Sequence, residues 1–379
     1  MREFDYSKLK DRTWDNEILS YIAKIHEFKG KQELFLRQKP VELNRLVEIA
    51  KIQSTESSNQ IEGIVTTNAR LKQLCSDKTT PRNRNEEEIL GYRNALNIVH
   101  ENYNDIPVRS SYILQLHGEM LKHTAYSYAG SYKTTPNEID MILENGEKVV
   151  LFKPLEPYET PDAVNRLCDE FDKAISEGIV DPLILIPMFI LDFLCIHPFN
   201  DGNGRMSRLL TLLLLYRSGY IVGQYISIEK AIADTKESYY EVLQQSDYNW
   251  YEGTNDPKSF IKYMLGIILS CYREFESRIV LASKTGKKSN AYDIVKAYAE
   301  TTIGKFSKQD ALISCPSLGS SSVESALKKL VEEGRSFATA GFPVIGWKSY
   351  LPRFVYMLPD TLNNIHYARI VAKHEFGHV

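Results

Sequence analysis

The sequence predicts a mainly α-helical protein with one β-hairpin in its middle and a separate domain near its C-terminal end. Three observations support this fold class: helical spacing of apolar residues, a single Asn-Gly pair between two strand-like runs, and a late basic linker. The chain has 379 residues. Because a domain averages about 150 residues, two or three domains are expected.

The N-terminal region, residues 1–104, is predicted to be a helical domain. In the stretch ELNRLVEIAKIQSTESSNQIEGI, Leu43, Leu46, Val47 and Ala50 follow a spacing close to that of an α-helix. A polar loop comes next. Acidic residues then open a further helix, EEEILGYRNALNIVH, where the helix dipole favours negative charge.

The central region, residues 105–280, is predicted to be helical except for IDMILENGEKVVLF at 139–152. Asn145-Gly146 lies there between apolar and β-branched residues. This is a strong hairpin signal, because both turn positions need positive φ. Two strands alone are only marginally stable in water. We therefore expect the hairpin to lean on the helices and to leave one edge exposed.

The basic segment SKTGKKSN, residues 283–290, is interpreted as a linker. Three helix-like segments follow it, and then the strand-like pieces SFATA and RFVYML. Three helices before a hairpin are typical of a winged helix-turn-helix, which we predict for residues 290–379.

A winged helix commonly binds DNA through its second motif helix, here roughly 319–333. Lys328 and Lys329 lie on that helix, but nearby acidic residues offset their charge: Glu324, Glu332 and Glu333. A phosphate-binding surface is usually more basic than this. DNA binding is therefore less favoured than a protein contact or a dimer role.

The composition is that of a globular protein, with 43% hydrophobic and 25% charged residues and a net charge of −3. This balance gives no general electrostatic reason to bind nucleic acid or a membrane. The five cysteines are scattered without metal-ligand spacing, which favours a reducing compartment. The longest apolar run, 182–196, is too short to span a bilayer. The first residues do not look like a signal peptide, so we expect a cytoplasmic location and no membrane partner.

The motif HPFNDGNGRMSR, residues 197–208, lies between two apolar segments and combines groups that handle phosphate. The first amides of a helix have no intrahelical partners and form an anion site. Gly202 and Gly204 let an anion approach the backbone closely. Arg205 and Arg208 are three residues apart on one helix face, where guanidinium groups suit phosphate oxygens.

Two further residues of the motif suggest chemistry. Asp201 beside a phosphate site is a natural ligand for Mg²⁺. An unperturbed histidine titrates near neutral pH, so His197 is a candidate to accept a proton from an attacking hydroxyl. A tight interhelical turn would explain the glycines alone, and a single histidine at a helix end is usually structural. The full set instead favours phosphoryl or nucleotidyl transfer.

The motif resembles the HPFx[DE]GNGRxxR signature of the Fic (Fido) family and matches every defined position. LHGEML (116–121) and AGSYK (129–133) resemble the segment before that family's flap, although Lys133 stands where many members have arginine. The similarity is expected to cover residues 1–275. The resemblance implies a Fic-type helical core with a hairpin flap that transfers AMP from ATP to a Ser, Thr or Tyr hydroxyl of a protein target.

The resemblance also implies a role for each motif residue. His197 is expected to act as general base and Asp201 to hold Mg²⁺, while Phe199 anchors the loop from inside. The expected ATP ligands are the amides around Gly202, Asn203 and Gly204 and the guanidinium groups of Arg205 and Arg208. The flap, 139–152, would align the target by strand addition.

A second signal is SSNQIEG, residues 57–63, in which Ser58 and Glu62 are one helical turn apart. By itself it is an ordinary helix end, because Gly63 can end a helix in left-handed geometry. Beside the motif, it resembles the family's inhibitory helix. That resemblance implies that Glu62 pairs with Arg208 and takes the place of the γ-phosphate, within its own chain or on a neighbour.

ESYYEVLQQSDYNW, residues 237–250, looks like the family's segment that closes over the adenine. Either Tyr239 or Tyr240 is expected to contact ATP, and Tyr240 is favoured. Asp247 departs from the asparagine that relatives often carry, which puts a base-binding role for it in doubt.

Several alternatives remain open at this point. The same fold can remove AMP from a modified protein or transfer another phosphate-containing group. A nucleotide-sensing DNA-binding regulator is a second class, although a sensor has no need of His197. The protein itself is a candidate target. We also expect a homodimer, because the family often pairs through its core.

Overall fold

The computed structural model describes residues 2–38, 40–142, 148–284, 290–301, 306–315, 318–333, 337–340 and 354–357. The chain divides into two compact units, Met1–Phe275 and Glu276–Val379. The mainly helical fold class is confirmed. The predicted domain limits at 104, 280 and 290 stay predictions.

The first unit is built from helices that surround a long buried pair. In chain order they are α1 (Asn16–Gln38), α2 (Pro40–Ile61), α3 (Asn68–Cys75), α4 (Arg84–Asn102), α5 (Ser110–Met120), α6 (Thr160–Glu177), α7 (Pro182–Ile196), α8 (Asn203–Arg217), α9 (Ile228–Asp234), α10 (Lys236–Asp247) and α11 (Lys258–Lys284), the last of which continues past the unit. Short 3₁₀ helices occur at Tyr6–Asp11 and Ile221–Gln224.

The buried pair is α7 and α8. Asp181 caps α7 by accepting a hydrogen bond from the Leu183 amide at 2.8 Å, and Pro182 is its first residue. Nearly every side chain of α7 is buried, which explains its continuous apolar sequence. Each large apolar side chain that it removes from water contributes about 1.5–3 kcal/mol. No helix of the described chain is long and apolar enough to cross a membrane.

Helices α4 and α5 pack closely and bring polar side chains to the motif. A Cβ at Gly91 of α4 would overlap the carbonyl oxygen of Met120 at the end of α5. Only glycine allows this approach. It places Glu88 of α4 and His117 of α5 beside the loop between α7 and α8.

The predicted hairpin is confirmed as strands β1 (Ile139–Ile142) and β2 (Lys148–Phe152). The strands are antiparallel, with Asp140 opposite Val150, and an irregularity follows Ile139. The predicted Asn145-Gly146 turn lies outside the described residues.

The second unit contains α12 (Ala291–Thr301), α13 (Lys308–Ser314) and α14 (Ser320–Glu332). Three short strands, β3 (Phe306–Ser307), β4 (Phe337–Ala340) and β5 (Phe354–Met357), pair antiparallel in the order β3-β5-β4. The core includes Val295, Ala311, Val323, Leu327 and Leu330. The winged-helix assignment and its DNA-binding role stay predictions.

Candidate active site

The motif loop between α7 and α8 forms one wall of a cavity of about 480 Å³. The lining comes from the motif, from both hairpin strands, from α10 and from the end of α2. Its polar and charged members include Glu62, Asp140, His197, Asp201, Arg208, Tyr240 and Asp247. Residues that are distant in the chain thus share one concave site.

His197 ends α7 in left-handed geometry, with φ of 51°, and its amide still donates to the Phe193 carbonyl at 3.0 Å. Its Nδ1 lies 3.1 Å from the Leu194 carbonyl oxygen. Because a carbonyl only accepts, Nδ1 carries the proton and Nε2 keeps a free lone pair. The ring therefore has the tautomer that a general base needs.

Burial lowers the pKa of His197 to about 4; the Leu194 carbonyl opposes this shift and the Lys133 charge adds to it. Burial likewise lowers the pKa of His117 to about 4. Both rings are therefore neutral at physiological pH. A histidine whose pKa is lowered by folding stabilises the folded state through its neutral form. This contribution to the free energy of unfolding is fully present above the ordinary pKa of about 6.5 and is lost as the pH falls toward 4.

We therefore expect the His197 imidazole to remain neutral at pH 6. In an ¹⁵N NMR titration, its Nδ1 should show the protonated-nitrogen shift and its Nε2 the lone-pair shift down to pH 5. A His197 midpoint near 6.5 would contradict the buried, neutral assignment.

The motif loop is closed from inside by Asn203 and Phe199. The Asn203 side chain accepts from the Phe199 amide at 2.9 Å and donates to its carbonyl at 2.8 Å. The Phe199 ring is fully buried and stacks on His117 with ring centroids 3.7 Å apart. The expected anchoring position of Phe199 is thus what the structure has, and Asn203 acts on the loop through its side chain.

His117 links the loop to the segment before the hairpin. Its Nδ1 accepts from the Gly130 amide at 3.0 Å, so its Nε2–H donates to the Asp201 carbonyl, also at 3.0 Å. The LHGEML stretch alone does not reveal this bridge. A single histidine on an apolar helix face carries no signal of its partner.

Lys133 and Asn137 brace the loop from the other side. The Lys133 ammonium donates to Asn137 Oδ1 at 2.8 Å and to the Ile196 carbonyl at 3.1 Å. The Asn137 amide donates in turn to the carbonyls of His197 (3.2 Å) and Phe199 (3.0 Å). Sequence reasoning missed Asn137, because one asparagine in a polar loop is not distinctive.

The anion-binding part of the site begins at Gly202, whose φ of 84° starts α8 in left-handed geometry. The first amides that follow it have no partners within the helix, a geometry that suits an anion. The Glu62 carboxylate lies against this helix start. A Cβ at Gly204 would overlap its Oε1 and would also lie 3.3 Å from Arg208 Nη1.

Arg208 is buried and binds the end of α2 through three hydrogen bonds. Its Nε donates to Ser58 Oγ at 2.8 Å, and its Nη2 donates to the Ser58 carbonyl at 2.9 Å and to Glu62 Oε1 at 2.7 Å. Burial opposes ionisation of Glu62, but the Arg208 charge and hydrogen bond prevail and lower its pKa. The side chain of Glu62 is therefore an ionised carboxylate on the guanidinium.

Further contacts hold this end of α2 in place. Ser54 Oγ donates to the buried Glu229 carboxylate at 2.7 Å, and the Lys236 ammonium donates to the Ile61 carbonyl at 2.7 Å. Gly63 follows in left-handed geometry, with φ of 78°. The structure thus places Ser58 and Glu62 on Arg208, with Gly63 next in the chain. The inhibitory role of these residues stays a prediction.

Arg205 lies between two carboxylates. It is fully buried, its Nη1 lies 2.7 Å from Glu88 Oε2, and its Nη2 lies 3.4 Å from Asp201 Oδ2. It is not among the described residues that line the cavity. The two carboxylates hold the Arg205 guanidinium by ion pairs. Its phosphate-binding role stays a prediction. Glu88, which sequence reasoning treated only as helix-start charge, is its partner.

Asp201 lies at the cavity wall with a side chain that is 40% exposed. Its Oδ1 accepts from the Gly202 amide at 2.7 Å. Among the described residues, no group of three or more His, Cys, Asp or Glu side chains is arranged to hold a metal ion. One carboxylate beside an anion site nevertheless fits Mg²⁺, which usually keeps waters and takes substrate phosphate oxygens.

The other end of the cavity is lined by α10. Tyr239 is buried and Tyr240 is 43% exposed, and both line the cavity. Leu243 and Asp247 follow on the Tyr240 face at helical spacing. Burial raises the pKa of Asp247 to about 7. This end is more apolar than the motif end and is suited to a planar group.

The fold and this loop geometry define a helical protein with an anion site and a neutral histidine in one cavity. The profile of the Fic/DOC family matches residues 107–215. A Fido domain-containing protein of Dictyostelium discoideum is 36% identical over 128 residues, which is 33% of this chain and 85% of that protein. The chain belongs to the Fic/DOC family.

Other similarities extend beyond the family profile. A protein adenylyltransferase Fic of Nematostella vectensis is 24% identical over 232 residues, which cover 59% of this chain and 48% of that protein. The chain thus spans about half the length of this curated relative.

Solved structures resemble the fold over a larger share of the chain. A Fic domain-containing signaling protein from Bacteroides thetaiotaomicron has a TM-score of 0.57 and 25% identity, over 69% of this chain and 98% of that one. A Fic family protein from Desulfovibrio desulfuricans G20 has a TM-score of 0.58 and 21% identity, over 92% and 97%.

Proposed function

We propose that the protein transfers AMP from ATP to a Ser, Thr or Tyr hydroxyl of a protein, itself included, and that Glu62 restrains this reaction. One observation carries the proposal. A neutral histidine with a free Nε2 shares a cavity with an anion site that a carboxylate of the same chain now fills. The family relatives named adenylyltransferases support the same reaction class.

The reaction needs a general base, and His197 is positioned to act as that base. The target oxygen would attack the α-phosphorus of ATP while its proton moves to His197 Nε2. The bond from the α-phosphorus to the bridging oxygen would break, and pyrophosphate would leave. A neutral imidazole with a pKa of about 4 accepts this proton at neutral pH without being protonated beforehand.

The phosphates would lie at the start of α8. Its first amides, at Asn203 and Gly204, would supply donors next to Gly202, and Arg208 would supply a bidentate cation for the terminal phosphate. Asp201 would hold Mg²⁺, which neutralises phosphate charge when it is bound. The nucleoside would extend along α10 toward Tyr240.

The restraint follows from the same geometry. Glu62 Oε1 lies 2.7 Å from Arg208 Nη2 and against Gly204. A phosphate oxygen and this carboxylate oxygen cannot both take that guanidinium position. ATP would therefore bind productively only when Glu62 moves away.

The target would lie along the hairpin. Strand addition to an exposed sheet edge aligns a peptide through main-chain hydrogen bonds and does not require a fixed sequence. The hairpin contributes Asp140 and Phe152 to the cavity wall, so a segment paired with it passes the site.

The position of the transferred label tests the reaction class. The Glu62→Ala protein is incubated with Mg²⁺ and ATP labelled in either the α- or the γ-phosphate, and protein-bound label is counted. We expect label only from the α-phosphate. Label from the γ-phosphate would show phosphoryl transfer, and label from neither, with ATP bound, would reject both reactions.

A further inference from the structure

A buried carboxylate outside the active site joins three segments of the first unit. Asp192 lies in the apolar α7 and is fully buried. Its Oδ1 accepts from the Trp250 indole at 2.6 Å, and its Oδ2 accepts from the Tyr6 hydroxyl at 2.9 Å. Arg2 Nη2 lies 3.2 Å from Oδ1. A charge in such a place is tolerated only when it is paired and hydrogen-bonded.

Residues 2–6, which we call the strap, hold the segment around Trp250. The Arg2 guanidinium donates to the Trp250 carbonyl and, at 2.8 Å, to Asn255 Oδ1. It also lies 4.8 Å from the Trp250 ring centroid, a cation–π distance. Phe4 packs against the same ring, with centroids 6.3 Å apart. One arginine thus fixes both the backbone and the ring of Trp250.

The hairpin rests on this held segment. Phe152, at the end of β2, meets Trp250 edge-on at 6.2 Å and stacks on Tyr251 at 6.0 Å. The Tyr251 hydroxyl also donates to the Lys153 carbonyl. Phe152 itself lines the active-site cavity. Phe152, the last residue of β2, therefore contacts both the segment that the strap holds and the active-site cavity.

We propose that Arg2 and Asp192 are positioning residues that set the orientation of the hairpin over the active site, and so the use of a protein substrate. A two-stranded hairpin has little stability of its own, so its orientation depends on what its base packs against. Here Phe152, at the end of the hairpin, packs on Tyr251 and on Trp250, and Arg2 and Asp192 hold Trp250. The effect on the protein substrate rests on the proposed transfer function.

Hydrogen exchange of the hairpin amides is the primary test. In Arg2→Gln, the amides of 139–142 and 148–152 should exchange at least about three-fold faster than in the parent, while those of α8 stay unchanged, because only local opening is altered. Arg12→Gln is the matched control. Arg12 bonds the same loop, through the Asn255 carbonyl at 3.2 Å and Asp256 at 3.3 Å, but is 35% exposed. It should leave hairpin exchange unchanged.

Arg2→Gln leaves the buried Asp192 charge unpaired and can unfold the protein. The double variant Arg2→Gln/Asp192→Asn removes both charges and keeps a side chain that can accept from the Trp250 indole. It should show the same faster exchange, confined to the hairpin. Unchanged hairpin exchange in this folded double variant, or an equal rise in α8, overturns the proposal.

Kinetic measurements distinguish a positioning role of the strap from a general loss of active-site structure. All variants are made in the Glu62→Ala background, with the His197→Ala protein as acceptor. The strap variants should raise the KM for the acceptor at least about three-fold and leave the ATP dissociation constant within about two-fold. Equal losses in ATP binding overturn the proposal. If the background transfers nothing while hairpin exchange rises, the transfer function fails and the positioning role stands.

Discussion

Replacing Glu62 with alanine is expected to raise the rate of AMP transfer by about 10- to 100-fold at limiting ATP. The change frees Arg208 from a hydrogen bond to a charged group, which is worth about 1.5–3 kcal/mol. Each 1.4 kcal/mol corresponds to a factor of ten in an equilibrium constant. The equilibrium here is the competition between the Glu62 carboxylate and the terminal phosphate of ATP for the Arg208 guanidinium. Incorporation of α-phosphate label at a fixed ATP–Mg²⁺ concentration measures the change.

Glu56→Ala is the matched control for this experiment. Glu56 is an exposed glutamate on the same helix, so its loss changes the charge of α2 equally without touching Arg208. Its transfer rate should stay within about two-fold of wild type, as is usual for a surface change. An equal rise in both variants would mean that charge on α2, and not the Glu62–Arg208 contact, restrains the enzyme.

Replacing His197 with alanine in the Glu62→Ala background is expected to lower the transfer rate by about 10²- to 10⁴-fold, the usual contribution of a general base. The ATP dissociation constant should change little, because the amides of α8 and Arg208 remain. Single-turnover transfer and direct binding measure the two quantities separately.

His26→Ala is the corresponding control. His26 is an exposed histidine that pairs with Asp181 at 2.7 Å and lies outside the described cavity lining. It should leave both rate and binding unchanged. If His197→Ala loses ATP binding to the same extent as transfer, the histidine is a structural part of the loop and another group must take the proton.

The motif could be predicted from the sequence because its parts are contiguous. One loop of consecutive residues between two apolar helices carries the histidine, the aspartate, the glycines and the arginines, so local rules place them together. The hairpin was predicted for the same reason, since Asn145-Gly146 and its flanking strands are neighbours in the chain. Neither prediction requires knowledge of a long-range contact.

The supporting residues could not be predicted, because their partners are far away in the chain. Glu88 is separated from Arg205, and His117 from Asp201, by whole helices. Nothing local distinguishes Glu88 from its two acidic neighbours. The position of Arg205 outside the described cavity lining depends on Glu88 and Asp201. The motif alone therefore suggests two equivalent arginines, whereas the structure gives Arg205 and Arg208 different partners.

The contact between Glu62 and Arg208 lies between these cases. Ser58 and Glu62 are predictable as one helix face, but their partner Arg208 became apparent only through the family resemblance. From spacing alone, the stretch is an ordinary helix end. The tertiary contact with Arg208, and not the local pattern, distinguishes this helix end from any other.

The central claim is that one guanidinium, that of Arg208, binds either the Glu62 carboxylate or the terminal phosphate of ATP. The most direct test is to measure ATP and AMP dissociation constants for His197→Ala, which prevents turnover, with and without Glu62→Ala. The competition predicts that Glu62→Ala tightens ATP binding by about ten-fold or more and changes AMP binding by less than about two-fold, since AMP has no terminal phosphate to compete. Unchanged ATP binding, or an equal gain for AMP, would contradict it.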